Sequence, residues 1–279
     1  MSGLLLIAAM ALPLQDAGDE RGDRLVKVEL VADRAAIRPG EAFSLGVRLR
    51  VDPGWHIYWE NHGDSGFPTS AKLVAPPGFT LGPLRFPGPE REVAEGDIVT
   101  YVHTGEVMLV VDGKAPDPLP AGLEAAAFSV EARWLVCQEV CFPGSGRAEL
   151  TLPTAATSAK PAPANEKAFA DARSRLPKPW SELAGATIEW GGTRDEPVAV
   201  FGVPGASDLE LFPSASASTT LSGRTIERAG PDCRLKAALN FQAAPTEDAP
   251  RLAGVLRVRT EQGESFYRFD SAPKDRKSG

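Results

Sequence analysis

Along the first half of this chain the hydrophobic residues recur at every second position. Phe43, Leu45, Val47, Leu49 and Val51 alternate with polar or small neighbours without a break, the pattern of a strand with one buried face. Strands are also expected over 24–32, 71–74, 79–86, 98–103 and 106–112, with turns at Arg38-Pro39-Gly40 and Asp52-Pro53-Gly54. Trp55, Ile57 and Trp59 share one face of a further short strand, and His56 and Tyr58 lie on the other. The longest alternating run carries Phe128, Val130, Ala132, Trp134 and Val136 on one face and Ser129, Glu131, Arg133, Leu135 and Cys137 on the other. Phe142-Pro143-Gly144 reads as the turn that follows, and 148–152 as the return strand. Cys137 and Cys141 are therefore placed at the tip of a β-hairpin, where their sulfurs can meet and a partner can reach them.

The alternation lapses over 154–165, a stretch rich in alanine, proline, threonine and serine that reads as a linker. Asn165 is placed to cap a helix running to Leu176, with Phe169, Ala172 and Leu176 on one side. Strands resume over 198–203, 209–212, 221–227, 233–241, 251–259 and 265–269. The fold class is mainly β: a sandwich or barrel over 24–153, then a second β-rich domain over 166–272 with one short helix near the linker, and a frayed tail over 273–279. Cys233 shares a strand face with Leu235, Ala237, Leu239 and Phe241, so it reads as a buried free thiol.

The chain has 279 residues, of which 43% are hydrophobic and 24% charged, enough to bury a core without many disulfides. Its net charge of −7 argues against a basic surface for nucleic acid. Residues 4–14 form an apolar run too short to span a bilayer. With the small residues up to Ala17 it reads as a signal peptide over 1–17, although the usual basic start is missing. Export to the periplasm or beyond is expected, with no transmembrane span after the signal is removed. That compartment is oxidising. There is no Gly-rich phosphate loop, His-Glu-x-x-His or Gly-x-Ser-x-Gly motif, so nucleotide and hydrolase chemistry is not indicated.

The candidate chemistry lies in the Cys137/Cys141 pair, and three readings are open. A structural staple over so short a loop removes little chain entropy, roughly 2 kcal/mol. A redox dithiol would exchange disulfides with a partner thiolate. Two thiolates can also hold Cu(I) or Zn(II), and His56 or His103 could join them around copper. Glu139 between the cysteines would raise a thiol pKa if it faced the sulfurs, and Arg133 could oppose it. The polar loop 60–66 is either a plain connection or a wall beside the cysteine tip.

Three segments together carry more than the cysteine spacing: 55–66 (WHIYWENHGDSG), 95–101 (EGDIVTY) and 134–143 (WLVCQEVCFP). They resemble the periplasmic N-terminal domain of DsbD-type protein-disulfide reductases, including the ScsB-like branch. The resemblance covers 26–153 with specific motifs and continues more loosely through the second domain. It implies an immunoglobulin-like sandwich with the exchanging pair Cys137 and Cys141 on a hairpin, Cys141 making the mixed disulfide. It implies a cap over the sulfurs from Asp97, Ile98, Val99 and Tyr101, with Trp134 and Phe142 as site wall. It also implies a thioredoxin-like or membrane-embedded electron donor, and periplasmic thiol or disulfide proteins as acceptors. The ScsB-like branch has links to copper stress, which keeps copper as the alternative cofactor. No thioredoxin-like Cys-x-x-Cys and no multi-span segment occur in this sequence, so reducing power is expected from another protein.

Overall fold

The computed structural model describes residues 20–155, 162–229, 232–243 and 249–273. The expected signal segment 1–17, the middle of the 154–165 linker and the end of the 273–279 tail lie outside them. The chain opens with a short helix, α1 (Glu20–Leu25), and strand β1 (Val26–Ala32). The strand therefore begins two residues later than its hydrophobicity suggests. Gly22 in α1 lies so close to Pro143 that a Cβ would fall 2.1 Å from the proline carbonyl oxygen. That close approach holds the leading turn against the end of the sheet.

β2 (Ala42–Val51), β3 (His56–Gly63), β4 (Ser70–Val74), β5 (Thr80–Leu81), β6 (Glu90–Ala94), β7 (Ile98–Thr104), β8 (Glu106–Lys114), β9 (Ala125–Cys137) and β10 (Cys141–Pro153) complete the first unit. They form two sheets, one in the order β1-β2-β8-β5 and one in the order β10-β9-β3-β7-β6, with β4 also on β9. The alternating residues named above meet between these sheets: Leu45, Val47 and Leu49 from one side and Ile57, Trp59, Phe128, Ala132 and Val136 from the other. Each large side chain so buried contributes roughly 1.5–3 kcal/mol. The two-sheet sandwich agrees with the immunoglobulin-like expectation. Two details differ. The strand expected over 79–86 shrinks to β5, with a single bridge from Arg85 to Val110. And β6, whose five residues hold three charges, had no hydrophobic alternation to announce it.

The helix α2 (Glu166–Arg175) follows. Phe169, Ala172 and Leu176 are buried together as their spacing predicts, against Val31, Met108 and Val110 of the first sheet. Asn165 does not cap it through its side chain; its amide instead donates to the Ala32 carbonyl at 2.9 Å. The second unit then contains β11 (Lys178–Pro179), β12 (Thr187–Gly192), β13 (Pro197–Pro204), β14 (Asp208–Pro213), β15 (Thr219–Ala229), β16 (Asp232–Phe241), β17 (Leu252–Thr260) and β18 (Gly263–Ser271). Its sheets run β11-β18-β17-β14 and β12-β13-β16-β15. Cys233 is fully buried in its core beside Leu235, Ala237 and Leu239, as its place in the strand pattern requires, and burial pushes its thiol pKa up.

The two units share apolar surface. Phe212 of β14 packs edge-on against Tyr101 and Trp59 of the six-stranded sheet, with ring centroids 5.4 and 6.2 Å apart. Asn61 donates to the Pro213 carbonyl at 2.7 Å, and Arg268 pairs with Glu60 at 2.8 Å. Among the described residues no helix is long and apolar enough to cross a membrane.

Candidate functional site

β9 and β10 are joined by a loop of Gln138, Glu139 and Val140, and Cys141 pairs directly across from Cys137. The turn therefore lies between the cysteines rather than at Phe142-Pro143-Gly144. Proline is tolerated at Pro143 because β10 is an edge strand, where a missing N–H need not break the ladder. Directly paired residues present their side chains on one face, and the two sulfurs are joined in a disulfide with Cα atoms 4.1 Å apart.

The two sulfurs have different surroundings. Cys141 is exposed, whereas Cys137 is only 2% exposed. β3 runs beside β9 and places His56 directly opposite Cys137. Two residues along the same face, the Tyr58 hydroxyl donates to the Cys137 sulfur at 3.3 Å. Val102 and Leu135 complete the apolar packing around Cys137. Burial, helped by the charge of Glu92, pushes the Tyr58 pKa up, so the phenol keeps its proton and remains a donor at neutral pH.

Tyr58 is itself held on two sides. The ladder between β3 and β7 breaks after Tyr58 and resumes at Gly63, so residues 60–63 of the expected polar loop belong to β3 and only 64–66 leave the strand. Gly66 of that loop adopts φ +101, and a Cβ there would fall 2.3 Å from the Tyr58 ring. Only a glycine backbone lies this close in this conformation, so the loop is a wall against Tyr58. On another side the His56 ring meets Tyr58 edge-on at 5.4 Å. His56 Nδ1 lies 3.2 Å from Glu92 Oε2. Burial lowers the His56 pKa, with the Glu92 charge acting in the opposite sense.

Around the tip, Phe142 packs against Trp55 with centroids 5.8 Å apart, and the Arg21 guanidinium lies 5.0 Å over the Phe142 ring. Val140 at the apex is 56% exposed. Phe142 pairs with Val136, so it follows Cys141 in the chain but turns to the other face of the hairpin, against the core. Trp134 faces the core beneath it, donating from Nε1 to the Gly22 carbonyl at 3.2 Å. Glu139 is exposed, and Arg133 is paired with Glu131 at 2.8 Å.

The expected cap lies elsewhere. Asp97 sits in the β6–β7 turn with φ 60. Thr104 of β7 stands level with the disulfide, since His56 pairs with both Thr104 and Cys137. Ile98 is six residues further along that strand, about 20 Å away at the usual rise. Ile98 shares the Cys137 face by alternation, but Val99 and Tyr101 point to the opposite one. Tyr101 is held there by Trp59 and Phe212. Val99 is fixed by two hydrogen bonds with Asp64, at 2.9 and 2.8 Å. Asp97, Val99 and Tyr101 line a cleft completed by Ser222 and Arg224 of the second unit.

The copper set Cys137, Cys141, His56 and His103 is likewise not assembled. His103 neighbours Val102 on β7 and so faces the other side of the sheet. It is buried, its ring nitrogens have no hydrogen-bond partner among the described residues, and burial with the nearby Arg175 pushes its pKa down to about 3. Among the described residues no group of three or more His, Cys, Asp or Glu side chains is gathered to hold a metal. Tyr58 and Glu92 join the site without a motif that marks them in the sequence. Alternation placed Tyr58 on the face opposite Trp59, but only the pairing of β3 with β9 brings it to Cys137.

Residues 23–153 match the family described as thiol:disulfide interchange protein DsbD, N-terminal. Among solved structures, the chain is similar to the N-terminal periplasmic domain of ScsB from Proteus mirabilis, at 12% identity and a TM-score of 0.61, over 95% of this chain and 97% of that one. That likeness extends the shared fold through both units. The N-terminal domain of DsbD from Neisseria meningitidis, in its reduced form, matches at 20% identity and a TM-score of 0.27, over 50% of this chain and 90% of that one. No curated protein matches the chain.

Proposed function

We propose that this chain, whose residues 23–153 match the family of DsbD N-terminal domains, is an exported electron relay that reduces partner disulfides through Cys137 and Cys141. The observation that carries this reading is the asymmetry of the pair: an exposed Cys141 at a hairpin tip, bonded to a buried Cys137 that accepts a hydrogen bond from Tyr58. A partner sulfur can reach the exposed Cys141, while Cys137 is held back to leave or to resolve.

In the reducing direction the Cys141 thiolate attacks a partner disulfide. A bond forms between Cys141 and one partner sulfur, and the other partner sulfur leaves as a thiolate. Cys137 then attacks the Cys141 sulfur, closes the internal disulfide and releases the second partner thiolate. The partner has gained two electrons and the pair has lost two. Recharging runs in reverse: a donor dithiol attacks Cys141, and Cys137 leaves with the electron pair. The donor is a thioredoxin-like or membrane-embedded dithiol protein, the acceptors are periplasmic thiol or disulfide proteins, and the compartment is the periplasm. The exposed Val140 at the apex of the hairpin provides apolar contact for either partner.

The reduction potential of the pair in metal-free protein, measured against a glutathione series, tests this function. A value of about −180 to −270 mV is expected for an exchange protein. A value below about −300 mV would make the bridge a structural one and overturn the proposal.

A further inference from the structure

Exchange through this pair leaves one demand unexplained. Cys137 must carry negative charge when it leaves, yet it is buried beside Val102, Leu135 and Tyr58, and burial disfavours a thiolate. The Tyr58 hydroxyl is the donor in contact with it, so the thiolate depends on where that ring is held. Gly66 closes one side of the ring and His56 another. His56 is fixed in turn by Glu92, from a strand two places across the sheet.

We infer that Glu92 and His56 are positioning residues for the exchange reaction: they hold the Tyr58 hydroxyl on the Cys137 sulfur and so stabilise Cys137 as the leaving thiolate. This rests on the exchange function proposed above. When a donor thiolate bonds to Cys141, the Cys137–Cys141 bond breaks and Cys137 takes the electron pair. The Tyr58 O–H, already directed at that sulfur, becomes a charge-assisted hydrogen bond. A neutral imidazole donating from Nδ1–H to the Glu92 carboxylate supplies the hold. Of the titratable and charged groups facing His56, β6 brings Glu90 and Glu92, and β3 brings Tyr58. β9 brings Cys137 and, further along, Arg133, which is paired with Glu131. β7 presents Ile98, Thr100, Val102 and Thr104 on this face, none of them charged. Glu92 is the group whose charge acts on the imidazole.

Charge and position predict opposite signs here, which makes the inference testable. Removing a carboxylate near a thiol should by itself lower the thiol pKa. Releasing Tyr58 from Cys137 should raise it. The measurement is the thiolate absorbance of Cys137 against pH in the Cys141→Ala protein, with thermal unfolding confirming that each variant is folded. We expect Glu92→Ala to leave about tenfold less Cys137 thiolate at pH 7, which corresponds to one pKa unit. His56→Ala and Tyr58→Phe should act alike, and Glu92→Ala with Tyr58→Phe together should go no further than either alone. Glu92→Gln, which keeps a hydrogen-bond acceptor for His56, should restore the unsubstituted value or lie below it. More thiolate in Glu92→Ala, or additive effects with Tyr58→Phe, would overturn the inference. The titration needs no partner protein. Failure of the unsubstituted protein to exchange would therefore reject the exchange function by itself, without moving these pKa values.

Discussion

The two faces of the six-stranded sheet are built from alternate residues of the same strands, and they carry different chemistry. The outer face brings His56, Tyr58, Val102 and Cys137 together around a sulfur. The inner face brings Ile57, Trp59, Tyr101 and Trp134 into the core and onto Phe212 of the second unit. His56 and His103 show the contrast within one residue type. The first is partly open, held by Glu92 and beside the disulfide; the second is sealed in the core, its ring nitrogens without a hydrogen-bond partner among the described residues. One step along a strand moves a residue from the face that carries the disulfide to the face that forms the core.

That separation can be broken first at the sulfurs, where the largest effect is expected. Cys141→Ser should reduce exchange with a glutathione-buffered partner to background while leaving the fold in place. Cys137→Ser should accumulate a mixed disulfide through Cys141, visible by non-reducing electrophoresis. Full activity in Cys141→Ser would reject the order of attack. On the inner face, Phe212→Ala should cost about 3–5 kcal/mol of stability in urea unfolding. The potential of the pair should stay unchanged in the folded protein; a potential that moved with stability would show that the two faces are coupled.

A smaller and pH-dependent effect belongs to His103. Its folded pKa is near 3 against about 6.5 in the unfolded chain, so the unfolded state binds the extra proton between these values. Stability is fully present above about pH 6.5 and is lost as pH falls toward 3. His103→Leu should flatten that acid limb in denaturant titrations at pH 7, 5.5 and 4, and an unchanged slope would show that other groups drive it. The smallest effect is expected at the Arg268–Glu60 pair between the units, which is half exposed. Arg268→Ala should cost under about 1 kcal/mol, so a larger loss would mean that the polar rim, and not Phe212, holds the units together.

Much of this fold was legible because burial imposes a period on the residues that experience it. Phe43 to Val51, Phe128 to Val136 and Cys233 to Phe241 each show which side of their strand faces the core. β6 shows no alternation because its charged residues lie at an edge, and 79–86 reads as a longer strand than β5 because apolar residues also pack outside regular strands. The hairpin tip was placed correctly from its strands, but its turn was displaced because Phe142-Pro143-Gly144 has the composition of a turn while the edge position of β10 lets it extend. Among site residues, the cysteine pair was visible from spacing and motif. The resemblance puts the cap over the sulfurs, whereas here Val99 is fixed by Asp64 and Tyr101 by its contact with Phe212.

The sequence by itself determined the class of fold, the faces of the principal strands, the buried state of Cys233 and the meeting of Cys137 with Cys141. These depend on periodicity and on neighbours a few residues apart. Tertiary structure alone decided that Tyr58 donates to Cys137, that Glu92 reaches His56, and that His103 lies on the far side of the sheet. Those contacts depend on strand order and pairing register between segments up to 79 residues apart. A one-residue slip in that register would send each side chain to the opposite face.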